Sequence, residues 1–170
     1  MKNKTHNTYQ ILNYFASTDR YKIILILTII LCLYGSFALG LNTTFSSSIL
    51  NTFMFDIFNI FVFLILFINT LNICTTFDNE FSFYIIRLNN KKRYIKELLK
   101  NVLIFNILHL TIFFLIYFTI KCFLTYEPGS YTLYQNYNIT NNLYLIFYLG
   151  RYIILSLLFC LIESLIYINF

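Results

Sequence analysis

The chain from Ile23 to Leu41 contains no charged residue. At 1.5 Å rise per residue such a run covers about 28 Å, the depth of a bilayer hydrocarbon core. Three more apolar runs follow, at Phe53 to Cys74, Val102 to Leu124 and within Leu143 to Phe170. Of the 170 residues 59% are hydrophobic and 11% charged, against about 25% charged in a soluble domain. A domain this small cannot bury that much apolar surface in one core. The expectation is an all-α polytopic membrane protein with about four spans, 23–41, 53–74, 102–124 and 152–170, forming a single transmembrane domain.

Basic residues orient it. Ten of the twelve lie in the first 22 residues (Lys2, Lys4, Arg20, Lys22) or between spans two and three (Arg87, Lys91, Lys92, Arg93, Lys96, Lys100). Those two regions share a side if the first two runs both cross. The positive-inside rule makes that side the cytoplasm and places both termini there, in a cell membrane. The remaining two, Lys121 and Arg151, flank the outer segment 125–151. The net charge of +5 is thereby assigned to the membrane surface, not to nucleic acid. Near the start, Tyr9, Ile11, Leu12, Tyr14 and Phe15 precede Asp19, Arg20 and Lys22, which fits a cytoplasmic tail with an interfacial helix over 1–22. The bias toward residues with AT-rich codons points to a low-GC bacterial source.

Several residues inside the runs are candidates. Ser36 and Gly40, four apart, offer a small face for helix packing. Asn106 and His109, three apart, share a face. Glu163 interrupts the last run; a carboxylate there costs about 2.5–3.5 kcal/mol at mid-membrane on insertion scales, so it is expected to face protein, be protonated or lie near the headgroups. Catalytic chemistry finds no purchase: GxxxxGK[ST], HExxH, GxSxG and EExxxR are all missing, and Ser46 to Ser48 have no base nearby in sequence. The four cysteines (Cys32, Cys74, Cys122, Cys160) are 38 to 48 residues apart, too far for a metal or redox motif. No metal, no cofactor and no enzymatic activity are expected.

Residues 78–100 read DNEFSFYIIRLNNKKRYIKELLK. Phe81, Tyr84, Ile85 and Leu88 recur at helical spacing, Asn89-Asn90 signals a turn, and a basic helix follows. With Glu80 after span two, Arg87-Leu88 before the turn, Lys92-Arg93 after it and Lys100 at the start of span three, the stretch resembles the loop after the second span of ABC-2-type transporter permeases. The turn here is Asn-Asn, where that family often has Thr-Pro or Ser-Pro, and such permeases usually have six spans. The resemblance implies a membrane subunit of an ATP-driven transporter, in a short or partial form. Its coupling element would be Glu80, Phe81, Tyr84, Arg87, Leu88, Lys92 and Arg93. Its partners would be a soluble ABC ATPase and a second membrane subunit. The alternative is a non-transporting scaffold or regulatory subunit of a larger membrane complex.

Overall fold

The computed structural model describes residues 14–38, 45–88, 91–124 and 141–169. All regular structure among them is helical: α1 (Asp19–Ala38), α2 (Phe45–Met54), α3 (Asp56–Leu88), α4 (Lys91–Leu124) and α5 (Asn141–Asn169). Four stretches are long and apolar enough to cross a membrane, Asp19–Phe37, Asp56–Asp78, Tyr94–Leu124 and Leu145–Asn169. The chain is an all-α, multi-pass membrane protein. In hydrocarbon only a helix or a closed barrel satisfies every backbone donor and acceptor.

Local chemistry sets the helix ends. Residues 14–17 are helical and Thr18 breaks the run. The Thr18 hydroxyl accepts from the Tyr21 amide at 3.3 Å, an N-cap for α1. Asp19 sits in the first turn of α1, where negative charge suits the helix dipole. Of the expected interfacial helix, residues 1–13 lie outside the described residues, while Phe15 is buried and packs on Phe105 with ring centroids 4.5 Å apart.

The sequence reading treated 42–52 as a short outer loop and began span two at Phe53. Instead 45–54 form α2, and Phe55 alone separates it from α3. The junction is held by side chains. The Phe53 carbonyl accepts from Asn59 Nδ2 at 2.6 Å and from the Tyr148 hydroxyl at 2.9 Å, which satisfies a group that the helix end leaves open.

Residues 78–100 are expected to form a helix, a turn at Asn89-Asn90 and a second helix leading into span three. The backbone is helical on both sides of that expected turn: α3 runs 33 residues to Leu88 and α4 34 from Lys91, about 50 Å each. Neither holds a glycine or proline, so nothing interrupts the hydrogen-bond ladder. Both outrun a hydrocarbon core of about 30 Å. Asn89 and Asn90 lie outside the described residues. In α5 the helix begins at Asn141 and takes in Arg151, which the sequence reading placed at an outer interface.

The described residues fall into two compact units. One comprises 14–27, 65–88, 91–109 and 157–169; the other comprises 28–38, 45–64, 110–124 and 141–156. The first has a core of Phe15, Ile24, Leu66, Ile73, Phe77, Leu98, Val102 and Phe105 around buried polar groups. The second is an aromatic core centred on Phe53. That ring lies 5.1–6.2 Å from those of Phe58, Phe113, Phe114, Tyr117 and Tyr152, the range in which tilted and edge-to-face pairs add to simple burial.

Candidate functional site

Asn69 and Thr70 on α3, Asn106 and His109 on α4, and Glu163 and Ser164 on α5 are all buried in the first unit. Asn69 Nδ2 donates to Asn106 Oδ1 at 2.9 Å. Asn106 Nδ2 donates in turn to the Thr70 hydroxyl at 3.1 Å and to its own helix at Val102 O, 3.0 Å. Thr70 thus accepts from Asn106 and keeps its own proton. Its hydroxyl is the hydrogen-bonding neighbour of both Cys160 and Glu163. Apart from Thr70, no donor reaches the Glu163 carboxylate among the described residues, and Asn69 Oδ1 meets none. Buried polar atoms are normally paired, so these oxygens, like both amide atoms of the buried Asn72, are features of the unit that packing does not explain.

Further along the same helices, Asp78 of α3 accepts from the Tyr94 hydroxyl of α4 and from the Tyr167 hydroxyl of α5, the latter at 2.7 Å. One carboxylate therefore ties three helices together. His109 is buried, with its ring 6.1 Å from that of Tyr21 in an edge-on arrangement. The shared face of Asn106 and His109 was legible from their spacing, and so was the departure of Glu163 from its apolar run. The partners Asn69, Thr70, Tyr94 and Tyr167 were not, because a single Asn, Thr or Tyr in a span gives no hint of which helix it meets.

The second unit has its own polar centre. Lys121 near the end of α4 is fully buried. Its Nζ donates to Ser48 Oγ of α2 at 2.6 Å and to the Ser36 carbonyl of α1 at 3.1 Å, and lies 5.8 Å from the centre of the Tyr117 ring. The sequence placed Ser48 in a loop with no base nearby and Lys121 at an outer flank. The fold brings them together across 73 residues. Ser48→Ala removes one acceptor from a buried ammonium. A hydrogen bond to a charged group contributes about 1.5–3 kcal/mol, so a loss of about 2 kcal/mol is expected in a steric-trapping or denaturant assay in bicelles.

Ser36, expected to pack helices, is fully buried as the Lys121 acceptor; Gly40 lies outside the described residues. The close approach falls one residue earlier. A Cβ on Gly35 would stand 2.5 Å from Phe58 Cε2 and 3.0 Å from Thr52 Cγ2. Glu80, Phe81, Tyr84, Arg87 and Leu88 are on the helical backbone of α3, and Lys92 and Arg93 on that of α4; their side chains lie outside the described residues. No grouping of three or more His, Cys, Asp or Glu suited to a metal ion occurs among the described residues. Of the four cysteines, three are buried and Cys122 is exposed; all are free thiols.

Neither the family models, the curated proteins nor the solved structures contain a match to this chain.

Proposed function

We propose that this chain is the membrane-spanning permease subunit of an ATP-driven, ABC-type transporter in a bacterial cell membrane, with its N-terminus in the cytoplasm. The observation that carries the reading is the burial of Asn69, Thr70, Asn106, His109 and Glu163 on helices apolar enough to span. Ionisable side chains are costly there, and within spans they are candidates for substrate, ion or proton pathways. The length of α3 and α4 supports the energy source. Both outrun the hydrocarbon, and the positions around their junction, 87–100, hold six of the twelve basic residues. A basic helical projection of this kind suits docking on a soluble ATPase. The exposed apolar side of α5, with Ile146, Phe147, Ile154, Leu158 and Ile162, suits lipid or a second membrane subunit.

The test is affinity purification from the host in detergent, scored for a co-purifying P-loop ATPase and its ATP turnover. Replacing residues 80–93 by a Gly-Ser linker of equal length is expected to abolish capture while the spans remain inserted. Undiminished capture sinks the docking claim. Capture by the unaltered chain with no substrate-stimulated turnover assigns the chain to the scaffold class.

A further inference from the structure

We propose that Glu163 is a proton-binding site within the membrane helices, its carboxyl group taking up and releasing a proton beside the Asn69–Asn106–Thr70 hydrogen-bond chain. Three observations point there. Glu163 is 6% exposed, yet apart from Thr70 no donor reaches its carboxyl group among the described residues. The ion pairs among those residues are Lys22–Asp19 and Lys100–Glu97, and neither involves Glu163. The amide-hydroxyl chain from Asn69 through Asn106 ends on Thr70, whose side chain acts on Glu163.

The groups around it agree. Cys74 of α3 lies near Glu163 and Asp78, and Cys160 of α5 lies near Glu163. Tyr21 of α1, Tyr94, Glu97 and His109 of α4 and Tyr167 of α5 complete the titratable side chains buried or half-buried among the described residues of this unit. Asp78 already has two phenol donors. Glu163, one turn before Tyr167 on α5, has no such donors. An isolated carboxylate away from water is far more costly than its neutral acid. Glu163 thus has the surroundings of an exchangeable acid. A proton transfer conserves atoms and electrons without any other reactant: carboxylate plus proton gives carboxylic acid.

The experiment uses the purified chain in nanodiscs and needs neither an ATPase nor a transport substrate, so its outcome is separate from that of the permease reading. Dicyclohexylcarbodiimide reacts with protonated carboxyls in apolar surroundings, the acid adding across a C=N bond and rearranging to a stable N-acylurea. Peptide mapping is expected to find the label on Glu163 in preference to Asp78, falling about tenfold per pH unit above the midpoint. Infrared spectroscopy is expected to show a protonated-carboxyl stretch that Glu163→Gln removes. Absence of both signals at every pH overturns the proposal. So does labelling that sodium or lithium suppresses at constant pH, which would assign the carboxylate to an alkali cation.

Discussion

Gly35→Val is expected to destabilise the protein by about 3 kcal/mol, the upper part of the usual range for overpacking a filled core. The reason is geometric. A Cβ at position 35 would stand 2.5 Å from Phe58 Cε2 and 3.1 Å from Cδ2, and real Cβ atoms do not approach a ring that closely. Phe58 cannot swing aside, because it is fully buried and its ring contacts Phe53, Phe113 and Tyr117. The Gly35 carbonyl also accepts from the Thr52 hydroxyl at 3.3 Å, so moving α1 away from α2 loses that bond. Gly35→Ala is expected to cost less, about 1–2 kcal/mol. Steric trapping in bicelles measures both. Phe58→Leu combined with Gly35→Ala should recover part of the loss, since the two positions share one contact and their effects are coupled. Strict additivity would show that the glycine matters for another reason.

Asn106→Leu is expected to cost about 2–3 kcal/mol by the same measurement. Its side chain makes three hydrogen bonds, to Asn69, Thr70 and Val102, and is fully buried. Interhelical hydrogen bonds in membranes average about 0.6 kcal/mol and reach about 1.7. Leucine also strands the Asn69 amide group in an apolar setting, and a stranded buried donor costs about 1–3 kcal/mol. Leu115→Ala, at an exposed position of the same helix, should stay within about 0.5 kcal/mol. A near-neutral Asn106→Leu would show that the amide network is not what joins α3 to α4. If Glu163 takes up its proton beside this network, Asn106→Leu should also shift the midpoint of its carbodiimide labelling, whereas Leu115→Ala should leave it in place.

The helix junctions show how far local signals reach. Thr18 followed by Asp19 is a readable N-cap with an acidic first turn. The turn at Phe55 is not readable, because it contains no glycine or proline and depends on Asn59 and Tyr148 reaching the Phe53 carbonyl. Tyr148 is 95 residues away in sequence. The run 78–88 carries helical periodicity, but whether it continues the helix before it or begins a new one turns on a break that no residue supplies. Glu163 is conspicuous within its run, whereas Lys121 was taken for a flanking charge because its burial under Ser48 and Ser36 depends on α2 being a helix.

What the sequence alone determined is the solvent and the helical state of the four long apolar runs. Uncharged runs of bilayer length can satisfy their backbone only as helices in lipid, and that argument is local to each run. What only the tertiary structure decided is which polar side chains meet. Lipid tails are as apolar as leucine, so burying apolar surface does not choose helix partners in a membrane; small residues and hydrogen bonds do. Asn69 with Asn106, Asp78 with Tyr94 and Tyr167, Lys121 with Ser48, and Gly35 against Phe58 are pairings of that kind, each set by the approach of helices distant in sequence.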